Sequence, residues 1–146
     1  MRRAARALRC ARGRTVCARG RSSRGIAGRF RGECGAARHV LGQLPLALDV
    51  IEVAASADPD STLSQAARHA RGLDSGEGVL VLTDLYGATP CNVARRLPAL
   101  GLNMHCVSGL NLPMLLRVLN YPEQSLDELA QTAASGGRGG IFIDHA

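Results

Sequence analysis

The sequence predicts an α/β fold in which helices cover both faces of a mostly parallel sheet. Apolar runs of strand length alternate with segments of helix length that carry capping residues. The run at 78–83 is apolar throughout, which is typical of a parallel strand buried on both faces. Acids, hydroxyl residues and glycines follow the strands, where an α/β sheet changes from strand to helix.

The elements become recognisable from residue 36 onward. The predicted strands lie at 46–53, 78–83, 102–107 and 141–143. One helix ends near Gly42, and the other predicted helices cover 58–71, 89–97, 112–119 and 125–135. Asp58 and Thr89 are predicted N-caps, and Ser125 with Glu128 forms a capping box. The pair Gly136-Gly137 is expected to stop the last helix.

Charge is distributed unevenly along the chain. Residues 1–38 contain twelve Arg and one acid, whereas residues 39–146 contain six Arg and eleven acids, a net charge of −5. The overall charge of +6 therefore comes from the first segment, and the larger part is mildly acidic. Aromatic residues make up 3% of the chain and Trp is absent, which disfavours a base-stacking surface for nucleic acid.

Length and cysteine usage indicate one cytoplasmic domain without a metal or cofactor. The 146 residues suffice for a single core. The five cysteines form no CxxC pair and no zinc spacing, and they are Cys10, Cys17, Cys34, Cys91 and Cys106. Their odd number and the lack of a secretory signal favour a reducing cytoplasm. No apolar run approaches the roughly 20 residues that span a membrane.

Two strand-to-helix junctions carry polar residues suited to binding an anion. They read Thr-Asp-Leu-Tyr-Gly-Ala-Thr-Pro-Cys-Asn (83–92) and Val-Ser-Gly-Leu-Asn-Leu-Pro (107–113). The N–H groups at a helix start are unpaired and together carry about half a positive charge. Ordinary capping explains Asp84, Thr89 or Asn111 when each is taken alone. Their pairing across neighbouring strand ends favours a site that handles phosphate.

Three segments then give a family resemblance. They are Gly-Val-Leu-Val-Leu-Thr-Asp-Leu-Tyr-Gly-Ala-Thr-Pro-Cys-Asn-Val-Ala (78–94), Ser-Gly-Leu-Asn-Leu-Pro-Met-Leu-Leu (108–116) and the region 126–140 with Leu-Asp-Glu-Leu-Ala and Gly-Gly-Arg-Gly-Gly. From about residue 37 to 143 the chain resembles the mannose/fructose-type IIA component of the bacterial phosphoenolpyruvate-dependent sugar phosphotransferase system. The resemblance implies a three-layer sandwich, usually dimeric, with its first strand inside the sheet between 46–53 and 78–83.

The resemblance also implies a function and a site. Such a component accepts a phosphoryl group on a histidine from the histidine-containing phosphocarrier protein and passes it to a IIB component, without a metal. Asp84 would orient that histidine, and Gly87, Ala88, Thr89 and Asn111 would bind the phosphoryl group. A carboxylate that accepts from one ring nitrogen fixes the tautomer and leaves the other nitrogen nucleophilic.

The histidine itself is not found. The family's histidine lies in a Thr-His turn after the first strand, whereas His39, His69, His105 and His145 lack that context. His39 falls late in a helix and His105 is expected to pack within a strand in the core. The phosphoacceptor is therefore unassigned, and the chain as written is expected not to be phosphorylated.

Residues 1–36 are interpreted as a separate Arg/Gly-rich segment, and residues 37–146 as the IIA-like domain. The first segment shows neither a convincing strand nor an amphipathic helix, so the first strand of the family is expected to be missing or replaced. Its Arg-Gly-Ala-Cys composition without Lys is what GC-rich DNA gives when read in the wrong frame. Disorder and a frameshift are the two interpretations.

An alternative function is nucleic-acid binding through the Arg-rich segment. Twelve Arg within 38 residues could neutralise several phosphates and give a steep salt dependence. The acidic body and the absence of a recognisable nucleic-acid-binding motif argue against this alternative.

Overall fold

The computed structural model describes residues 14–21, 27–54 and 56–145. In chain order its elements are strand β1 (Arg14–Arg21), helix α1 (Ala27–Leu41), strand β2 (Ala47–Ala54), helix α2 (Pro59–Leu73), strand β3 (Val79–Thr83), helix α3 (Thr89–Ala94), a 3-10 helix (Leu97–Leu100), strand β4 (Met104–Ser108), helix α4 (Leu112–Leu119) and helix α5 (Leu126–Gly139). This alternation confirms the predicted α/β class.

The strands form one sheet in the order β2-β1-β3-β4. All three pairings are parallel, as the sequence predicts. Strand β1 pairs with β2 along its whole length and with β3 through residues 14–18. It therefore occupies the central position that the resemblance assigns to the first strand.

The expectation that residues 1–36 contain no strand is wrong for Arg14–Arg21. Arg and Gly have weak strand propensity and conceal the short Thr-Val-Cys core of this segment. Pairing on both sides supplies the backbone hydrogen bonds that override this weak propensity. Helix α1 also begins earlier than predicted, at Ala27. Residues 1–13 and 22–26 lie outside the described residues, and the frameshift stays a prediction.

Strand β3 separates two hydrophobic cores. Val79 and Val81 pack on one face with α2, α3 and the 3-10 helix, while Leu80 and Leu82 pack on the other with α1, α4 and α5. Every residue of β3 is buried, because successive side chains of a strand point to opposite faces and both faces are covered. The three-layer sandwich is thereby confirmed.

Helix α5 runs through the glycine pair that was expected to stop it and ends at Gly139. A Cβ added at Gly136 would lie 2.5 Å from Cβ of Arg117, and one at Gly137 would lie 2.7 Å from Cε of Met114. These separations are shorter than atomic contacts allow. Glycine is required at Gly136 because α5 packs closely on α4, whereas the flexible end of Met114 could move away from a Cβ at Gly137. Neither glycine terminates the helix.

The last predicted strand does not form. Ile141, Phe142 and Ile143 have no regular secondary structure and are 74%, 85% and 80% exposed. Their β-branched and aromatic pattern predicts a strand, but no neighbouring strand pairs with them in the described part of the chain. The other capping predictions hold, since Asp58 caps α2 and Ser125 forms its capping box with Glu128.

Candidate functional site

Asp84 lies directly after β3, at the carboxyl end of the sheet. The side chain is half-buried, and its Oδ1 accepts a hydrogen bond from the backbone N–H of Leu85 at 2.8 Å. The backbone oxygen of Asp84 accepts from the N–H of Gly109 at 3.0 Å. The carboxylate is therefore held at the sheet edge by its own loop, and this loop contacts the loop that follows β4.

The turn between Asp84 and helix α3 is ordered by backbone and side-chain hydrogen bonds. Gly87 adopts a φ of 82°, a left-handed conformation that favours glycine. The side-chain amide of Asn92 donates to the backbone oxygen of Gly87 at 2.8 Å, and Ala88 N–H donates to Leu85 oxygen at 3.2 Å. Asn92 was not among the predicted site residues, although its position one turn into α3 suits it to hold this loop.

Thr89 is not the N-cap of α3, contrary to the prediction. Ala88 occupies the cap position with extended backbone (φ −70°, ψ 163°) and makes no side-chain capping bond. Thr89 is the first helical residue and is exposed. The backbone turns into the helix one residue earlier than a Thr-Pro pattern indicates, so the Thr89 hydroxyl does not cap α3.

The second junction lies beside the first. The N–H of Leu110 donates to the backbone oxygen of Thr83 at 3.0 Å, which joins the loops after β3 and β4. Asn111 caps α4, because its Oδ1 accepts from Met114 N–H at 2.9 Å and its Nδ2 donates to Gly137 oxygen at 3.2 Å. Both polar groups of this side chain thus serve the fold, as the capping interpretation of Asn111 expects.

A cluster of hydroxyl and thiol groups behind the two loops was missed by sequence reasoning. Thr83 Oγ1 and Ser108 Oγ are 2.8 Å apart, and Cys91 Sγ lies 3.4 Å from Ser108 Oγ. Cys106 belongs to the same face of β4 as Ser108, two residues away. The alternation along β4 predicts that Cys106 and Ser108 share a face of the strand. The sequence does not show that α3 places Cys91 over these two residues.

The two thiols of this cluster differ in acidity. Burial raises the pKa of the Cys106 thiol to about 11, and the nearby Cys91 adds to the increase. Burial also raises the pKa of Cys91, but hydrogen bonds with Ser108, the Gly87 backbone, Thr83 and Cys106 outweigh it and lower the pKa below its ordinary value.

Two histidines are paired with carboxylates that belong to neither loop. His69 of α2 pairs with Asp49 of β2, and His105 of β4 pairs through Nε2 with Asp127 Oδ1 of α5 at 2.5 Å. His105 is exposed, so the expectation that it packs in the core is wrong. Its strand lies at the edge of the described sheet, where a side chain reaches solvent.

An exposed apolar tip projects next to Asp84. Leu85 is 66% exposed and Tyr86 is 71% exposed. The guanidinium of Arg95 lies over the Tyr86 ring at 5.9 Å from its centroid. Large exposed side chains beside a polar site are suited to contact a partner.

A family model described as PTS system fructose IIA component matches residues 32–134. The mannose-specific EIIAB component of Escherichia coli K12 is 37% identical to this chain over 71 residues, which cover 47% of the chain and 22% of that protein. The same description, identity and coverage hold for the protein of Shigella flexneri. The matched region thus spans about a fifth of these curated relatives.

Solved structures share the fold. The mannose/sorbose-specific IIA subunit from Enterococcus faecalis matches with a TM-score of 0.76 at 23% identity, covering 93% of this chain and 97% of that one. Component EIIA from Streptococcus agalactiae matches with a TM-score of 0.71 at 21% identity, covering 90% and 96% of the two chains. The comparisons give no support to nucleic-acid binding.

Proposed function

The chain belongs to the PTS fructose IIA component family, and we propose that it is the IIA component of a sugar phosphotransferase system in the cytoplasm. Its partners in this proposal are the histidine-containing phosphocarrier protein and a IIB component. The observation that carries the proposal is that the two loops are joined by hydrogen bonds. The N–H groups of Gly109 and Leu110 donate to the backbone oxygens of Asp84 and Thr83, both at 3.0 Å. Each helix among the described residues is too short or too polar to span a bilayer.

In the proposed site Asp84 orients an imidazole and the adjoining turn receives the phosphoryl group. Thr89 supplies its hydroxyl, which the capping of α3 does not use. Gly87 and Ala88 form the turn that brings backbone close to the phosphoryl oxygens. Asn111 contributes by fixing the start of α4, because its amide is engaged in capping. Positioning and charge stabilisation are the main requirements of phosphoryl transfer.

The nucleophile is the part of the site that this chain lacks. The residues that follow β1 read Ser-Ser-Arg-Gly-Ile (22–26), where the resemblance requires Thr-His. None of the four histidines follows a Thr in the family's context, and the two that have a carboxylate partner, His69 and His105, pair with Asp49 and Asp127 and not with Asp84. We therefore propose a IIA component that keeps its docking and phosphoryl-binding surface but carries no phosphoryl group itself.

The proposed dimer uses the end of the chain. Ile141, Phe142 and Ile143 are largely exposed, and β4 presents its outer backbone at the edge of the described sheet. Burial of apolar surface contributes about 25 cal/mol per Å², and an exposed strand edge favours pairing with another strand. Sedimentation equilibrium of the wild-type protein and of Phe142→Asp tests this: a monomeric wild type would refute the dimer.

Binding of the phosphocarrier protein tests the main proposal. In a ¹⁵N-labelled sample, we expect the phosphocarrier to shift the amide signals of Leu85, Tyr86, Gly87 and Thr89 and to leave Gly72, on α2, unchanged. Incubation with labelled phosphoenolpyruvate, enzyme I and the phosphocarrier should leave this chain unlabelled. Absence of binding, or amide shifts confined to other surfaces, would contradict the proposed function.

A further inference from the structure

Cys91 and Cys106 form a thiol pair that the proposed phosphoryl relay does not use. Cys91 belongs to the first turn of α3, and Cys106 is the third residue of β4. The pairing of Val81 with Cys106 and of Thr83 with Ser108 places Cys106 on the sheet face that α3 covers. Cys91 Sγ lies 3.4 Å from Ser108 Oγ, Ser108 shares this face of β4 with Cys106, and each of the two thiols affects the pKa of the other.

The environment of the two thiols assigns them different roles in oxidation. Burial raises the pKa of Cys91, but hydrogen bonds with Ser108, Gly87, Thr83 and Cys106 outweigh it, so Cys91 is the more acidic thiol of the two and the better nucleophile. The pKa of Cys106 is raised by burial to about 11, so Cys106 remains a protonated thiol beside it. A nucleophilic cysteine next to a second thiol is the arrangement of a redox-responsive pair.

We propose that Cys91 and Cys106 are a modification site that hydrogen peroxide converts into a reversible disulfide. Cys91 loses its proton and its sulfur attacks one peroxide oxygen, the O–O bond breaks, and Cys91 sulfenic acid and hydroxide form; the hydroxide takes up the proton that Cys91 released and becomes water. The Cys106 sulfur then attacks the Cys91 sulfur, its proton passes to the departing oxygen, and water leaves. Overall, two thiols and one peroxide give one disulfide and two waters, and a dithiol reductant reverses the step.

The geometry favours a small oxidant. Cys91 is 1% exposed, so a bulky disulfide such as oxidised glutathione has no path to its sulfur, whereas peroxide is close to water in size. One hydroxyl proton of Thr83 and Ser108 is used in the hydrogen bond between them, and the other can be donated to a peroxide oxygen beside the thiols. A bond between Cys91 and Cys106 would fasten the start of α3 to β4, two residues from Thr89.

Trypsin separates the two cysteines cleanly, because the chain contains no Lys and cleavage follows Arg. Cys91 is the single cysteine of peptide 72–95, and Cys106 is the single cysteine of peptide 97–117. The full chain is treated with a slight excess of hydrogen peroxide, alkylated under denaturing conditions at low pH, digested and analysed by mass spectrometry. We expect one product in which these two peptides are linked, with a loss of two hydrogen masses that a dithiol restores.

Variants identify each role. Cys91→Ser should abolish the linked product, and Cys106→Ser should leave a Cys91 sulfenic acid that a cyclic 1,3-dione traps. Cys34→Ser is the matched control, because Cys34 is another buried thiol in the described chain and should leave the linked product unchanged. Linkage of Cys91 or Cys106 to another cysteine, or recovery of both peptides reduced from the oxidised wild type, would overturn the proposal.

Discussion

Thr83 Oγ1 and Ser108 Oγ are 2.8 Å apart and join the ends of β3 and β4 directly behind the candidate site. Thr83 is completely buried, so its hydroxyl depends on partners within the protein. The same strand ends carry the loops with Asp84 and Asn111. The spacing of these loops therefore depends on a polar contact inside the sheet.

Removal of one hydroxyl of this pair should destabilise the fold. We expect Ser108→Ala to lower the free energy of unfolding by about 1–3 kcal/mol, because it removes the hydrogen-bond partner of the buried Thr83 hydroxyl. The double variant Thr83→Val with Ser108→Ala should cost less than the sum of the single variants. Urea unfolding of the four proteins measures this, and additive effects would contradict a direct interaction.

The contacts between α4 and α5 predict that alanine has different effects on stability at two glycines of α5. Gly136→Ala should destabilise the protein by about 1–3 kcal/mol, since its Cβ would meet Arg117 Cβ at 2.5 Å. Gly139→Ala is the matched control, because a Cβ there has no neighbour within 4 Å. Thermal unfolding should show a lower Tm for Gly136→Ala alone. Equal Tm values would argue against close helix packing.

The capping box of α5 predicts a pH dependence. Hydrogen bonds from the Ser125 side chain and backbone lower the pKa of Glu128 below 4.5. A lowered pKa in the folded state means that this stabilisation is complete above the unfolded value and is lost as pH falls through the folded value. The destabilisation caused by Glu128→Ala, measured by urea unfolding, should therefore be larger at pH 6 than at pH 3. A destabilisation by Glu128→Ala that does not depend on pH would contradict this role of Glu128.

The exposed loop tip predicts a hot spot for the phosphocarrier. Tyr86→Ala should weaken binding about tenfold, because central aromatic residues of an interface often contribute more than 1 kcal/mol. Tyr121→Ala is a close control, since Tyr121 also has an Arg over its ring, with Arg117 at 5.6 Å from the centroid. Calorimetric titration measures both variants. Equal affinities of the Tyr86→Ala and Tyr121→Ala variants would indicate that the phosphocarrier does not bind at the loop tip.

The sequence was sufficient to predict the elements that have both a hydrophobic pattern and clear caps. Strand β3 and helix α5 are examples, because an unbroken apolar run and a capping box are local signals. Strand β1 was not predictable in the same way. Its Arg-rich sequence has no strand pattern, and its place in the sheet comes from pairing with β2 and β3.

The candidate site also contains some residues that local sequence signals identify and others whose position depends on packing. Asp84 and Gly87 could be placed at a strand end from motif order, and the structure puts their loop against the loop after β4. The cluster around Thr83 and Cys91 was not predictable, since it depends on how α3 packs over the sheet. The proposed phosphoryl-binding roles of Thr89 and Asn111 could not be separated from capping by sequence, because phosphoryl binding and capping use the same residue types.

We propose that this sheet edge remains a phosphoryl site and lacks only its histidine. Replacing Ser22→Thr and Ser23→His, directly after β1, would restore the Thr-His order of the family. With labelled phosphoenolpyruvate, enzyme I and the phosphocarrier, this double variant should gain an acid-labile, base-stable label. The wild type should gain none, and addition of Asp84→Asn to the variant should reduce labelling at least tenfold. A folded double variant that stays unlabelled, or labelling that does not depend on Asp84, would contradict the claim.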